Sequence, residues 1–350
     1  MKRLLDFVWP VVGVAAVVVS LVMLYQEFRG QNLWPGLWRA FSSISPAHWA
    51  LAIASTLVAY AALAWYDKIA LRHLGVSNVS WLFAGLCSFT TYALAHNIGA
   101  TVFSGAMVRY RAYSAKGLSA AQVAVLVALC SFTFALGSMF LGGLLLVYEP
   151  QLLSRFSGFL PGLLTNPTTA FVVGLGLLAF VALYNVGSVL RLKPLVLRGF
   201  RLEYPRPDIA LRQMIAAPLE LLGAAGIIYF ALPEAANPGF FVVLGVFLAS
   251  FSAALVSNAP GGLGVFEILF IKAMPATPQV EVLTALLVFR LLYLIIPLMI
   301  SLVIVVAFEK SRLRETLAHE RPELAQETRG DAGASAAARE KIEGRGADAV

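Results

Sequence analysis

Charged side chains are scarce: they make up 13% of the 350 residues, against 59% hydrophobic. A soluble domain has about 25% charged and about 45–50% apolar residues. A water-soluble globule of this composition would expose apolar patches far larger than monomers carry. The chain is therefore an integral membrane protein, as its mean hydropathy of +0.81 also requires, and disorder is excluded for its main part. Cysteine is nearly absent. Cys87 and Cys130 both lie in apolar runs, which excludes a disulfide scaffold and predicts two free, buried thiols. Four scattered histidines (His48, His73, His96, His319) have no metal-ligand spacing, so neither a metal nor another cofactor is expected. The sequence has no Gly-x-x-x-x-Gly-Lys-Ser/Thr string of an ATP-driven pump. It also has no Gly-x-Ser-x-Gly elbow, His-Glu-x-x-His or metal-type cysteine pair. The net charge of +7 is not read as a nucleic-acid footprint, because the basic residues cluster at the ends of apolar segments.

What the chain does have is apolar length. About 20 apolar residues cross the hydrocarbon core, and six stretches reach it: residues 7–25, 47–65, 119–148, 168–190, 211–232 and 280–308. The first is too long for a signal-peptide core. Two further apolar segments, 81–108 and 238–275, are interrupted by Asn and Gly. From Glu309 the composition turns to Arg, Glu, Ala and Gly, with 8 basic and 9 acidic residues. Residues 311–350 are expected to be a disordered cytoplasmic tail, and 1–310 one transmembrane domain. The positive excess belongs wholly to that domain.

Basic residues cluster at Lys2/Arg3, Lys68/Arg72, Arg109/Arg111/Lys116, between Arg191 and Arg212, and at Lys310/Arg312/Arg314. The positive-inside rule puts these cytoplasmic, with both termini. That works only if 81–108 enters and leaves on the cytoplasmic side, as a re-entrant hairpin turning near His96-Asn97-Ile98-Gly99. Broken backbone at that depth needs protein or water to satisfy it. Segment 238–275 starts and ends outside, turning at 257–262; parity fits either an outer hairpin or two complete spans. The basic stretch from Arg191 to Arg212, with its three prolines, is expected to lie against anionic lipid.

The two broken segments resemble each other. Ser88-Phe89, Asn97-Ile98-Gly99-Ala100 and Ser104-Gly105 line up with Ser250-Phe251, Asn258-Ala259-Pro260-Gly261 and Gly264 to Glu267. Each is flanked by full spans, and the two units start on opposite sides. The expected fold is an all-α polytopic bundle of about six full spans plus two re-entrant or broken helical hairpins in an inverted repeat, the pattern that marks a midplane transport site. The alternative is an unrelated bundle with two Gly-rich kinks.

An ionisable group at a helix centre costs about 2.5–3.5 kcal/mol on insertion scales, so each requires a reason. Glu220 sits mid-span two residues after Pro218. Glu267 follows the Gly-rich turn, and Arg290 lies inside the last span. A Glu267–Arg290 or Glu220–Arg290 pair would lower the cost for both partners, either as a structural ion pair or as part of a polar headgroup pathway. Asp67, Arg109 and Arg111 are expected at the cytoplasmic ends of their segments. There they serve as interfacial anchors, or the guanidinium forks take up a lipid phosphate. Asn97 and Asn258 are expected to cap backbone groups at the hairpin turns.

Three stretches carry a family resemblance. Asn258-Ala-Pro-Gly-Gly-Leu-Gly-Val-Phe-Glu267 resembles the hallmark of the lysylphosphatidylglycerol synthase transmembrane-region family. These are the flippase half of the multiple peptide resistance factor proteins and their stand-alone YbhN-like relatives. Trp65-Tyr-Asp67-Lys-Ile-Ala-Leu-Arg72-His-Leu-Gly75, and Asn97-Ile-Gly with Ser104-Gly105 and Arg109-Tyr-Arg111-Ala-Tyr113, support it. The resemblance covers roughly residues 1–310 and implies movement of a phospholipid, such as an aminoacyl-phosphatidylglycerol, across a bacterial inner membrane. It marks Asp67, Arg109 and Glu267, with Glu220 less closely matched. Full-length members add a second membrane section and an aminoacyl-transfer domain that this chain lacks, so it is not expected to be an enzyme.

The leading expectation is a translocase whose paired hairpins hold a headgroup in a polar groove. Arg109 and Arg290 would bind phosphate, while Asp67, Glu220 and Glu267 pair with a cationic headgroup or bias the arginines. Its partners are membrane phospholipids, with a homo-oligomer or a separate lipid-modifying enzyme as further partners. The rivals are a non-catalytic partner of such an enzyme, a flippase for an isoprenoid-linked lipid and, more weakly, an intramembrane lipid-modifying enzyme.

Overall fold

The computed structural model describes residues 34–98, 101–191, 195–197, 200–202, 204–257 and 262–310. The first expected span (7–25), the tail (311–350) and Asn258 lie outside the described residues. In chain order the helices are α1 (Trp34–Ser43), α2 (Pro46–His73), α3 (Trp81–Ile98), α4 (Thr101–Ser114), α5 (Ala120–Tyr148), α6 (Gly162–Thr165), α7 (Pro167–Val189), α8 (Pro207–Ala231), α9 (Phe240–Ser257), α10 (Val265–Ala273) and α11 (Gln279–Lys310). The described residues through Ser301 form one unit, and from Leu302 only the end of α11 is described.

Five helices, α2, α5, α7, α8 and α11, are long and apolar enough to span a bilayer. They coincide with five of the six expected spans and make this a multi-pass membrane protein. Local chemistry sets their starts. Ser45 accepts a bond from the His48 amide ahead of Pro46, and Ser119 forms a reciprocal box with Gln122. Asn166 caps the start at Pro167, and these caps satisfy amides that a helix start leaves free. Leucine, valine and phenylalanine side chains such as Leu57, Phe171, Val172 and Leu183 stay exposed, as lipid-facing surface should.

The interrupted segments are both helix–break–helix hairpins, and their open ends face opposite ways. α3 and α4 pack side by side; a Cβ on Gly105 would touch Thr91 and Ala95. Asn78, just before α3, donates to the Lys116 carbonyl just after α4 at 3.5 Å, and Lys116 sits over the Phe83 ring. Both arms of this hairpin therefore open at one end of the unit. That end also holds Lys68, whose ammonium donates to the Val79 carbonyl, and Arg72, which bridges Asp208 at 2.8 Å. The second hairpin, α9 and α10, opens at the other end, where the Thr277 hydroxyl donates to the Ala236 carbonyl at 2.9 Å. His48 at the start of α2 marks the same end, 3.8 Å from Glu234. At nine residues, α10 is about 14 Å long, less than half the hydrocarbon core. Segment 238–275 is thus a hairpin and not two complete spans.

Each hairpin lies between two long helices, α2 and α5 or α8 and α11, so the helical order repeats with inverted direction. The leading helices of the two repeats, α2 and α8, pack antiparallel: His48 lies by Glu234, Ser55 by Gly226, Ala59 by Gly223, and Arg72 by Asp208. A Cβ on Gly223 would sit 2.8 Å from the Ser55 carbonyl oxygen and 2.9 Å from the Ala59 nitrogen, so only glycine permits this approach. Small residues at such crossings let backbones pack closely where lipid offers no hydrophobic drive.

One small departure from an all-helical chain lies in the basic connection. There Leu195–Leu197 pairs antiparallel with Phe200–Leu202. Gly223→Val should overpack the α2–α8 contact and lower stability by about 1–3 kcal/mol. Thermal unfolding in detergent measures this, and an unchanged melting temperature would contradict the close approach.

Candidate functional site

The ionisable residues singled out from sequence are deeply buried and meet at three places. The first is Asp67 with Arg109. The α2 helix continues eight residues past its expected end at Trp65 and carries Asp67 into the interior, where it has no exposure at all. Arg109 Nη2 donates to Asp67 Oδ1 at 2.7 Å, and Nε lies 3.2 and 3.3 Å from the two oxygens. The Tyr113 hydroxyl donates to Oδ2 at 2.7 Å, and the Cys130 thiol to Oδ1 at 3.6 Å. The guanidinium carbon rests 4.9 Å from the Tyr92 ring centroid, a cation–π contact. These two residues are not the interfacial anchors expected from their place near the segment ends. The reason is that α2 and α4 fold together there and a charge buried without a partner is expensive. Arg111 alone of this set is exposed.

The second place is Glu267 with Arg290. The motif's last glycine, Gly264, has φ +79°, a left-handed conformation that glycine adopts without strain. Its amide donates to Glu267 Oε2 at 2.9 Å. The other carboxylate oxygen accepts from Arg290 Nε at 2.6 Å, and Nη2 of the same guanidinium makes a close ion contact with it. Of the two pairings the sequence allowed for Arg290, this one forms. Arg290 opens a π-helical turn, Arg290–Ile295, an irregularity frequent at functional sites.

The third place is Glu220, midway along α8. Tyr293 of the π turn donates its hydroxyl to Glu220 Oε1 at 2.8 Å, and Tyr60 in turn donates to the Tyr293 carbonyl at 2.9 Å. Glu220 Oε2 has no hydrogen-bond partner.

The end of α3 meets α9 and the π turn beside Tyr293. His96, near the end of α3, packs edge-on to Phe251 of α9, with centroids 6.0 Å apart, and stacks on Tyr293 at 5.6 Å. Asn97 donates to its own turn at Ala93 and to the Leu294 carbonyl at 3.2 Å. It therefore ties the first hairpin to the π turn and satisfies a backbone group there. The groups that sequence reasoning missed are the tyrosines: Tyr60, Tyr66, Tyr92, Tyr113 and Tyr293. The available signal was a phenol inside an apolar helix, whose hydroxyl must find a partner. Among the described residues no group of histidine, cysteine or acid side chains could hold a metal ion.

Comparison with known proteins agrees with this architecture. An uncharacterized protein of Synechocystis, slr0712, is 31% identical over 292 residues, covering 82% of this chain and 87% of that protein. The inner membrane protein YbhN of Escherichia coli is 27% identical over 295 residues, 81% of this chain and 87% of YbhN. The chain belongs to the YbhN-like family. No family model matches it. A phosphatidylglycerol lysyltransferase of Staphylococcus haemolyticus is 31% identical over 93 residues, which is 26% of this chain and 11% of that enzyme.

In this YbhN-like bundle the Asp67–Arg109 pair should show strong coupling. Asp67→Asn leaves Arg109 buried and unpaired, a loss of about 3–5 kcal/mol. The double variant Asp67→Leu/Arg109→Met removes both charges and should recover most of that stability in thermal unfolding. Losses that simply add would contradict a direct pair.

Proposed function

We propose that this chain moves an anionic phospholipid between the leaflets of a bacterial inner membrane, with its two hairpins forming the headgroup path. The observation that carries this reading is the pair of broken hairpins, opening at opposite ends, each bearing one partner of a buried guanidinium–carboxylate pair. Counted along the helices at 1.5 Å per residue, Asp67 lies about 9 Å inside the basic end of α2. Arg290 lies about 16 Å inside the opposite end, at the start of α11. Glu220 is near the middle of α8. Two cationic stations are thereby spaced along the path, each reached from its own side.

A lipid phosphate can take the place of the carboxylate on either arginine, because one planar anion replaces another on the same fork. The exchange keeps each guanidinium paired, while the displaced carboxylate retains its other donors, Tyr113 and Cys130 on Asp67 and the Gly264 amide on Glu267. The acyl tails remain in lipid while the headgroup passes. Asp67 and Glu267 hold the empty arginines in position; they are not free to bind a cationic headgroup. The basic end with Lys68, Arg72, Arg111 and Lys116 is the cytoplasmic one by the positive-inside rule, which puts both termini inside. The staphylococcal relative is named for phosphatidylglycerol, and that name favours an anionic glycerophospholipid as cargo. Family members of nearly full-length similarity have no catalytic name, in keeping with transport rather than catalysis.

The test uses proteoliposomes of phosphatidylethanolamine and phosphatidylglycerol containing fluorescent phosphatidylglycerol, with dithionite bleaching the outer leaflet. Wild-type protein should expose the inner pool. Arg290→Lys keeps the charge but loses the fork, a change of about 1.5–3 kcal/mol for a charged hydrogen bond, and should slow movement by about tenfold or more. Absence of movement for phosphatidylglycerol and for a polyprenyl-phosphate lipid alike would overturn the proposal and favour a non-transporting partner of a lipid-modifying enzyme.

A further inference from the structure

Glu220 differs from the other buried acids. Asp67 and Glu267 each face an arginine, whereas Glu220 accepts from a neutral phenol, Tyr293, on Oε1. Its second oxygen, Oε2, is buried and unpartnered, although the residue is only 1% exposed. The buried Tyr66 hydroxyl, itself unpartnered, stands beside the same carboxyl. His96, stacked on the ring of Tyr293, leaves Nδ1 buried and unpartnered as well. The groups that face this acid from the elements packed around it are nearly all neutral. They are Tyr60 and Tyr66 of α2 and Tyr293 of α11, with Tyr92 and Cys130 beyond Tyr66 and His96 beyond Tyr293. α9 contributes no titratable residue, and Tyr184 of α7 is bonded to Gln213. The nearby charges, Asp67 with Arg109 and Glu267 with Arg290, neutralise each other.

A carboxylate buried without a counterion is strongly disfavoured, and a proton is the smallest cation that removes the charge. A metal ion would need several oxygen ligands, and the described residues offer no such set. We propose that Glu220 is a proton-binding site whose exchangeable proton sits on Oε2 and is passed by Tyr66 and His96. When the carboxyl is protonated, Oε2–H can donate to the Tyr66 oxygen, which fills two orphaned positions with one bond. On release the proton leaves Oε2 for the Tyr66 or His96 side and the acid becomes a carboxylate. The Oε2–H bond breaks and its electron pair stays on Oε2, while an O–H bond forms on Tyr66, which gives up its own hydrogen, or an N–H bond forms on His96 Nδ1. The site lies between the two arginine stations, so its charge state sets the field that an anionic headgroup crosses. The proton site does not require that reading.

The experiment is infrared difference spectroscopy of the full-length protein in lipid nanodiscs, perfused between neutral and alkaline buffer and between water and deuterium oxide. Wild-type protein should show a protonated carboxyl band at neutral pH that converts to carboxylate on alkaline perfusion and shifts in deuterium oxide. Glu220→Gln should lose that band with no loss of thermal stability, because its amide stands where the neutral acid stood. Tyr66→Phe keeps the acid and should shift the band, so the test does not depend on one variant folding. Identical wild-type and Glu220→Gln difference spectra, a Glu220 signal that is carboxylate throughout, or a band that never exchanges in deuterium oxide would each overturn the inference. Lipid movement in the fluorescent assay is read separately, so failure of one proposal leaves the other standing or falling by its own result.

Discussion

A charge in hydrocarbon has to carry its counter-charge with it, and this protein does so by breaking two of its helices. Asp67 and Glu267 each meet a guanidinium within the same repeat, one across α2 and α4, the other across α10 and α11. Replacing a buried ion pair with well-packed apolar residues is often neutral or stabilising. Stability alone therefore does not explain why two such pairs stand in a domain with so little charge. The headgroup path proposed above offers an explanation: a guanidinium already desolvated and held by a carboxylate is placed to accept another anion.

The inverted repeat supplies the geometry that this exchange needs. α2 and α8 cross antiparallel through Gly223 and Gly226, and this contact places the two hairpins in opposite directions around a shared centre. The end of α3 then packs on α9 through His96 and Phe251, with Asn97 holding the π turn of α11. Broken backbone at depth is tolerated only where other groups satisfy it. Asn97 on the Leu294 carbonyl does that at the π turn of α11, and Glu267 on the Gly264 amide does it at the start of α10.

Much of this was legible in the sequence. Apolar length located all five described spans, and the basic-residue asymmetry required the first broken segment to return to its own side. That Arg290 pairs with a buried acid followed from the need to neutralise charge at depth, with Glu267 and Glu220 both open as partners; the structure gives Glu267. Three things were not legible. The end of α2 was misplaced because Asp67 and Lys68 read as a polar terminus, whereas a tertiary partner, Arg109, carries the acid inside. Parity alone left 238–275 open, and only the shortness of α10 decided it. The aromatic hydroxyls around Glu220 come from α2, α3 and α11, residues separated by up to 233 positions in the case of Tyr60 and Tyr293, and no local pattern connects them.

The central claim is that both hairpins return to the side from which they enter, and from opposite faces. Single cysteines placed at positions 78 and 116, and at 236 and 277, report this with a membrane-impermeant maleimide applied to either side of sealed vesicles. Native Cys87 and Cys130 are buried and should stay silent. Labelling of 78 and 116 from one face and of 236 and 277 from the other is the predicted result. Labelling of 78 and 116 from opposite faces would make the first hairpin a single span and contradict the account.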